Sequence, residues 1–382
     1  MVREARKGTP HRTVAKRFRV SKSQVNRWVK RAEGKRLDRV DWSDRPLGPK
    51  TPHNRSSTEL EEMVLAIRKE LKEVSALGEY GAEAIHREMT KRRSEQIPAV
   101  RTINHILERR GQFDSRRRVR RPAPPAGWYL PKVMEGKAEL DSFDGVEGLT
   151  LEGAKNVEVL NGISLHGGLV CSFPRSRITA KITVNCVLGH WREFGCPDYV
   201  QFDNHTVFQG PHKVDAMGRV IRMSLSLGVI PVFAPPRETG FQASIESYNG
   251  RWQDKVWSRF HFESRPHLES QSDKFVRAVR QRAAARIEGA PTRWEIPEDW
   301  QVDYQNPTGT VIFLRRTTDQ GTVSLLGRTF AVSRRWPHRL VRAEVKLDEG
   351  QIDFYALRRR DVSYQPLLKS VEYHFPKRPF SE

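Results

Sequence analysis

The sequence predicts a multidomain protein with α-helical units at the N-terminus, an α/β core with a mixed sheet, and a small all-β domain at the C-terminus. Apolar residues recur at helical spacing up to about residue 112, which is typical of amphipathic helices. From about residue 140 to 260, strand-like runs alternate with helical patterns, and after residue 300 only strand-like runs follow. At 382 residues, the chain is long enough for more than one domain.

The composition favours a polyanionic partner. Lys and Arg number 67 against 46 acidic residues, which gives a formal net charge of +21. Since no apolar stretch is long enough to span a bilayer and the first residues form no apolar signal core, we expect a cytoplasmic protein that binds nucleic acid and no membrane. The sequence has no GxxxxGK(S/T) loop, so no nucleotide cofactor is expected. Cys171, Cys186 and Cys196 lack C-x-x-C spacing, which indicates free thiols without a disulfide or zinc site.

Residues 1–35 are predicted to form a helix-turn-helix unit. Val14, Ala15 and Phe18 give its first helix an apolar face, and Val25, Trp28 and Val29 do the same for the second, which Ser21 and Gln24 begin as a capping box. Arg19 stands where such turns usually have glycine. An ordinary helical hairpin with a solvated basic face is the alternative. The residues expected to face outward and read DNA are Lys22, Ser23, Asn26, Arg27 and Lys30.

A second helix-turn-helix unit is predicted at residues 57–112, after a polar linker at 36–56. Thr58 and Glu61 suggest a capping box at its start, and the last helix follows Pro98. Residues 113–132 then form a basic, proline-rich linker, either contacting phosphates or simply solvated. The apolar face of the last helix is expected from Ile103, Ile106 and Leu107, and its DNA-facing residues are Arg101, Thr102 and Asn104.

Three carboxylates mark the core, which is predicted at residues 133–290. Asp144, with Asp141 as the alternative, interrupts an apolar strand; Asp203 follows the strand at 199–202; and Glu246 lies in a helix after the strand VIPVF. Taken singly, each has an ordinary explanation as a strand-end, turn or first-turn helix residue. Taken together, they offer the hard oxygen ligands that divalent cations prefer.

This series resembles the DDE superfamily of insertion-sequence transposases and retroviral-type integrases, in particular bacterial transposases with helix-turn-helix units before an integrase catalytic core. The residues that carry the resemblance are Asp144, Asp203, Asn204, Phe208, Gly210, Pro236, Gly240, Glu246, Asn249 and Gly250. The spacing of 43 positions between Asp203 and Glu246 is longer than in many of these enzymes, and Thr239 stands where Asn often precedes the glycine. Glu238 is the nearer competitor for the third carboxylate, but it lies in a loop.

The resemblance implies a ribonuclease-H-like catalytic core that integrates DNA. It further implies that Asp144, Asp203 and Glu246 are catalytic and hold two Mg²⁺ (or Mn²⁺) ions for strand cleavage and transfer by transesterification. The implied partners are double-stranded DNA, as element terminal repeats and target DNA, and further copies of the chain in a homo-multimer on that DNA. Arg251 and Lys255 are candidates for holding donor DNA, and the protein would be nucleoid-associated when bound. The alternatives are a DNA-binding regulator with an inactive core and a ribonuclease-H-type nuclease.

The C-terminal region, residues 300–375, is predicted to form a small β-barrel. Its strand-like segments are TVIFLRR, TVSLLGRTFAV, LVRAEVKLD and IDFYALRR, with turns expected at Gln320–Gly321 and Glu349–Gly350. The many arginines of this region suggest a sequence-independent DNA clamp, while a stabilising appendage with a basic rim is the alternative.

Overall fold

The computed structural model describes residues 1–43, 56–112, 127–153, 155–211, 213–238, 240–359, 361–376 and 378–380. The chain divides into two compact units, Met1–Glu61 and Glu62–Glu382. No helix in the described ranges is both long and apolar enough to cross a membrane.

Residues 1–43, the described part of the first unit before residue 56, contain three short α-helices. They are α1 Val2–Arg6, α2 His11–Phe18 and α3 Lys22–Ala32. The turn between α2 and α3 places Arg19 in the left-handed conformation (φ 53°), which takes the role of the missing glycine. Ser21 caps α3, because its side chain accepts a hydrogen bond from the backbone N–H of Gln24.

The apolar seam between α2 and α3 is narrower than predicted. Val14 and Val25 are fully buried, as expected. Phe18 is 43% exposed, so its prediction as a core residue is wrong. It is the last residue of α2, where the chain turns away from the seam.

Three helices of the predicted second helix-turn-helix unit follow, and a short helix then leads into the core. The four are α4 Thr58–Val74, α5 Ala82–Lys91, α6 Val100–Arg109 and α7 Pro131–Met134. Ser57, not Thr58, caps α4 by accepting a hydrogen bond from the N–H of Leu60 at 3.2 Å. Ile103, Ile106 and Leu107 are fully buried, as predicted for the inner face of α6.

The predicted linker at 113–132 is only partly described, since residues 113–126 lie outside the described ranges. The rest of it is not a linker. Trp128, Tyr129 and Leu130 are 3%, 3% and 1% exposed and pack into the core against Phe241 and other apolar residues. Burial of aromatic side chains of this size removes much apolar area from water. These residues therefore belong to the core, although the sequence before them has the composition of a linker.

Five strands and three of the helices give the central domain the predicted ribonuclease-H-like order. An antiparallel meander of β1, β2 and β3 is followed by β4 and β5, which lie parallel to β1, so the strand order is β3-β2-β1-β4-β5. The strands are β1 Leu140–Leu151, β2 Lys155–Ser164, β3 Val170–Arg175, β4 Tyr199–Phe202 and β5 Ile230–Phe233. The helices that alternate with them are α8 Ala180–Phe194, α10 Arg219–Ser226 and α11 Ala243–Lys255, and the short helix α9 Thr206–Gln209 precedes α10.

The sheet is buried on both faces. Phe143 of β1 and Phe202 of β4 pack against Trp191 of α8 on one face. On the other, Val146 and Val159 pack against α11 and against α12 Arg265–Arg282, which α13 Ala284–Glu288 follows. Strands buried on both faces need near-continuous apolar sequence, which explains runs such as VIPVF.

The C-terminal all-β region is present, but the prediction of a separate barrel is corrected. β6 pairs with β5 in parallel, and β9, β10 and β11 continue the same sheet to nine strands. β6 is apolar on both faces, so it is stable only in the interior of a sheet. TVSLLGRTFAV forms a separate hairpin of two strands, not one strand. The C-terminal strands are β6 Thr310–Arg316, β7 Thr322–Leu325, β8 Arg328–Ala331, β9 Leu340–Lys346, β10 Gln351–Ala356 and β11 Leu367–Glu372.

Candidate active site

Asp144 and Asp203 lie at the same end of two neighbouring parallel strands. Ser142 of β1 is the register partner of Gln201 of β4, and each aspartate stands two residues further along its chain. Both carboxylates therefore lie toward the carboxyl end of this strand pair. In open α/β sheets, ligands bind at that end because the loops leave the sheet there.

A relay of two asparagines holds Asp144. One carboxylate oxygen, Oδ1, accepts a hydrogen bond from the backbone N–H of Gly145 at 2.9 Å, and Oδ2 accepts one from Nδ2 of Asn249 at 2.8 Å. Oδ1 of Asn249 accepts in turn from Nδ2 of Asn161 at 2.8 Å. Asn161 is fully buried in β2 and is the register partner of Asp144. The relay therefore fixes the carboxylate from two strands and one helix.

Glu246 is brought near Asp144 by the same relay. It lies in the first turn of α11, three residues before Asn249, so the two side chains share one side of the helix. The hydrogen bond from Asn249 to Asp144 turns that side toward β1. Glu246 itself is exposed.

The pKa of Asp144 is raised from 3.8 to about 6. Burial is the main cause, because it penalises the charged form, and the negative charge of Asp203 is the second. Hydrogen bonds from Gly145 and Asn249 work in the opposite direction, and the charge of Glu246 adds a smaller upward contribution. The predicted carboxylates are thus close enough to influence one another electrostatically.

The loop that carries Asp203 is held by the neighbouring strands. Asp203 accepts a hydrogen bond from the N–H of His205 at 2.9 Å, and Nδ2 of Asn204 donates to the carbonyl of Ala234, just past β5, at 2.7 Å. Oδ1 of Asn204 accepts from Nη2 of Arg315 in β6 at 2.9 Å. Arg315 is 8% exposed, and burial lowers its pKa to about 10. The C-terminal region therefore contributes directly to this loop.

A pocket of about 250 Å³ opens at the two aspartates. Asp144, Asp203 and Glu147 are among its lining residues, whereas Glu246 is not. Carboxylate oxygens on one pocket suit a divalent cation. Within the described residues, however, no group of three His, Cys, Asp or Glu side chains is close enough to hold a metal ion. Two of the three predicted metal ligands therefore share a pocket, and two bound ions stay a prediction.

Asp141, the alternative first aspartate, has a structural environment. Its side chain is 2% exposed and forms an ion pair with Arg293, whose Nη1 and Nη2 donate to its two oxygens at 2.9 and 2.6 Å. Nε1 of Trp191 also donates to Oδ2, at 3.0 Å. Its oxygens are thus engaged in the interior, which leaves Asp144 as the aspartate that faces the pocket.

The predicted DNA-facing residues of α3 are exposed. Lys22, Ser23, Asn26, Arg27 and Lys30 all lie on the outer surface of this helix. Oδ1 of Asn26 is 2.6 Å from Nδ1 of His11, and Ser23 shares a hydrogen bond with the hydroxyl of Ser21. The face is therefore available for contact, with two of its polar groups already ordered.

The remaining predicted DNA-facing residues lie on α6 and α11. Arg101 and Asn104 are exposed and Thr102 is half-buried. On α11, the exposed Arg251 lies 5.7 Å from the ring centroid of Tyr248, and the half-buried Lys255 lies 5.8 Å from that of Tyr80.

Sequence reasoning gave no role to several residues that shape the site. Asn249 contributed to the resemblance but was assigned no contact, and Asn161 lies in a segment that indicated only a strand. Arg315 was assigned to a distant DNA clamp. No local signal identifies these partners, because each acts across a long stretch of sequence, as between Asn161 and Asn249, which are 88 positions apart.

Comparisons with known proteins find a family model that matches the N-terminus and several similar solved structures. No curated protein matches the chain. Among solved structures, the chain is similar to the BIV integrase catalytic core domain, with 15% identity and a TM-score of 0.28 over 37% of this chain and 81% of that chain. The HTLV-2 integrase catalytic core domain in complex with magnesium has 12% identity and a TM-score of 0.28 over 41% of this chain and 87% of that chain.

A third similar structure is the simian T-cell lymphotropic virus intasome in complex with PP2A regulatory subunit B56 gamma. It has 14% identity and a TM-score of 0.32 over 72% of this chain and 88% of that chain. At the N-terminus, residues 1–40 match the family described as Homeodomain-like domain. The predicted N-terminal helix-turn-helix unit is thereby confirmed, and this chain carries a homeodomain-like domain at residues 1–40.

Proposed function

We propose that this protein is a transposase or integrase that binds element-end DNA and catalyses divalent-metal-dependent strand cleavage and strand transfer. One observation carries the proposal: Asp144 and Asp203 line one pocket at the carboxyl end of parallel strands, near enough for the charge of Asp203 to raise the pKa of Asp144. Carboxylates that repel one another in a partly buried pocket are stabilised when a cation binds between them. The homeodomain-like domain and the net charge of +21 support DNA as the substrate.

In this mechanism, Asp144, Asp203 and Glu246 would hold Mg²⁺ or Mn²⁺, which supplies Lewis-acid activation of the attacking and leaving oxygens. The chain itself performs the positioning. Asn249 orients one oxygen of Asp144 and keeps its pKa from rising further, and Arg315 holds Asn204 beside Asp203. With a pKa of about 6, Asp144 is mostly ionised at neutral pH, which is the form in which it would bind a divalent cation.

A second function, a DNA-binding regulator with an inactive core, is favoured by one observation. The part of the chain that the structure describes contains no group of three potential ligands in metal-binding arrangement. A regulator would bind DNA as tightly as the proposed enzyme without altering it. We favour the enzyme because a regulator has no use for a carboxylate whose pKa is raised by burial and by two acidic neighbours.

The decisive experiment is a joining assay on duplexes taken from the flanks of its own gene, with Mg²⁺ or Mn²⁺. Asp203→Asn and Glu246→Gln should each lower nicking and joining by at least about a thousandfold and leave DNA affinity within about threefold. Asp254→Asn, on an exposed position of α11, is the matched control and should keep full activity. Joining that survives in either site variant contradicts the proposal, nicking without joining indicates a nuclease, and DNA binding without either reaction indicates the regulator.

A further inference from the structure

A basic groove lies between the helices α4–α6 and the helices α11 and α12, and Asp144, Asp203 and Glu246 are not among its lining residues. Its volume is about 670 Å³. Its lining residues include Arg68, Lys72, Tyr80, Asn104, Lys255 and Arg282. One wall therefore comes from the predicted second helix-turn-helix unit, and the other from the helix that carries Glu246.

Three cations surround one aromatic ring in this groove. Arg68, Lys72 and Lys255 lie 4.9, 5.3 and 5.8 Å from the centroid of Tyr80. Within the described residues, neither Lys72 nor Lys255 pairs with a carboxylate. The ring face attracts each cation, but it cannot cancel their mutual repulsion. An anion bound in the groove would reduce this repulsion, so the arrangement favours an anionic ligand.

Arg68 lies deepest among the three. It is 8% exposed, and its terminal nitrogens donate to the carbonyls of Tyr80 at 2.7 Å and Gln112 at 3.1 Å. Its Nε is buried and has no partner among the described residues. A buried guanidinium held only by neutral carbonyls is costly, because its charge is not compensated. The cost is reduced when a negative group occupies the neighbouring groove.

The acidic residues of the groove are already engaged. Glu79 pairs with Arg282 and, at 2.7 Å, with Arg87, while Glu83 lies 3.8 Å from Arg282. The carboxylates of Glu79 and Glu83 are thus paired with arginines. The charges of Lys72 and Lys255 are not neutralised by these carboxylates and can pair with an anionic ligand.

The two walls are fixed to each other. Arg259, just after α11, donates to the carbonyls of Lys72, Glu73 and Ser75 at the end of α4. Gly78 allows close packing, since a Cβ atom there would lie 2.9 Å from the side chain of Lys255. A ligand that contacts α6 and Lys255 together therefore meets a preformed surface.

We propose that this groove binds the sugar–phosphate backbone of duplex DNA, with Lys72 and Lys255 contacting phosphates. The inference rests on the proposed function, and it adds a DNA path from the predicted reading helix α6 to the catalytic helix α11 within one chain. Duplex DNA is the occupant that the surface favours, because Asn104 of α6, a residue type that reads adenine, lines the same groove as the lysines. An RNA duplex hides that base edge in its deep, narrow major groove, and an acidic protein has no such edge.

The test measures DNA affinity against salt in EDTA, so that no reaction occurs. The probe is a mixed-sequence duplex of about 40 base pairs, roughly four helical turns. Lys72→Ala and Lys255→Ala should each reduce the slope of log affinity against log salt by about one, with a three- to tenfold loss of affinity at about 0.1 M salt. Lys274→Ala, an exposed lysine of α12 outside the groove, is the matched control and should keep the wild-type slope.

Two further measurements make the outcomes unambiguous. Thermal unfolding checks that each variant is folded, and Lys72→Gln and Lys255→Gln repeat the test with longer side chains. Salt slopes of the Lys72 and Lys255 variants equal to those of wild type and Lys274→Ala would contradict DNA binding in the groove. The same holds if these variants lose affinity only for an RNA duplex of the same sequence. If the wild type joins DNA but the groove variants keep its salt slope, the groove is rejected and the proposed function stands. If the groove variants have reduced salt slopes but the wild type does not join DNA, the proposed function is rejected and the groove stands.

Discussion

Replacing Asp144 with Asn should stabilise the metal-free protein at neutral pH. The pKa of this carboxyl is about 6 in the folded state and near 3.8 without its surroundings. Each unit of pKa difference corresponds to about 1.4 kcal/mol, so ionisation of Asp144 costs the folded state at most about 3 kcal/mol at pH 7.5. Since Asn carries no charge and differs little in shape, Asp144→Asn should recover about 1–2 kcal/mol of that cost.

The sign of the pH dependence follows from the raised pKa. Well below pH 3.8 the carboxyl is protonated in both states, and the variant has no advantage. From there to about pH 6 the folded wild type binds more protons than the unfolded chain, so its stability falls relative to the variant as pH rises. Above about pH 6 the difference is constant. This direction is opposite to that of an Asp with a depressed pKa.

The asparagine relay can accommodate the change. An amide at position 144 would present a donor where Asp144 now accepts from Asn249. If the amide of Asn249 turns over, its Oδ1 accepts from position 144 and its Nδ2 faces Asn161. Oδ1 of Asn161 is buried without a partner in the described part of the chain, so it is available to accept that hydrogen bond once its own amide rotates.

The assay is urea unfolding at pH 4 and pH 7.5 in EDTA, followed by thermal unfolding with and without Mg²⁺. The gain in urea midpoint of Asp144→Asn should be much larger at pH 7.5 than at pH 4, and Mg²⁺ should stabilise the wild type more than the variant. Asp254→Asn, a neutralised carboxylate outside the site, is the matched control. Equal or lower stability of Asp144→Asn at pH 7.5, or an advantage of the same size at both pH values, would refute the reasoning.

Two further predictions concern the neighbours of this carboxylate. Asn249→Ala removes a hydrogen bond to the charged form of Asp144, which is worth about 1.5–3 kcal/mol. The acid limb of the DNA-cleavage pH profile should therefore move to higher pH by about one to two units. An unshifted acid limb contradicts the role of Asn249 in the relay. Asp141→Asn leaves Arg293 buried without a counter-charge and should lower the free energy of unfolding by roughly 3–5 kcal/mol in urea titrations. A catalytic Asp141 would instead lose activity with its stability unchanged.

Local patterns predicted the parts of the fold that depend on neighbours in sequence. The strand at 199–202 was predicted with its observed bounds, because a short apolar run between Pro197 and Asp203 has little freedom to be anything else. The same holds for Ser21 as a cap of α3, where the hydrogen bond joins residues three apart. These features need only the chemistry of one turn or one strand.

Strand partners are not encoded locally, and there the predictions were wrong. TVSLLGRTFAV has continuous strand character, yet the chain reverses at Leu326 and Gly327, both with positive φ. A buried leucine in a left-handed conformation has no turn signature in sequence. Similarly, the strand β11 was not predicted, because its sequence, LLKSVE, has the pattern of an exposed edge whose order depends on pairing with β10.

The pairing of β5 with β6 changes how the C-terminal region relates to the candidate site. As a separate barrel, it would be an appendage whose loss spares the carboxylates. In the observed sheet, β6 covers the edge of β5, and Arg315 reaches from β6 to Asn204 beside Asp203. Without β6, the edge of β5 would be exposed and Asn204 would lose this contact, so the loop bearing Asp203 would lose one of its two anchors. The all-β region is therefore part of the scaffold of the site, and the smallest unit able to hold Asp203 in place extends beyond residue 300 to the strands that follow it.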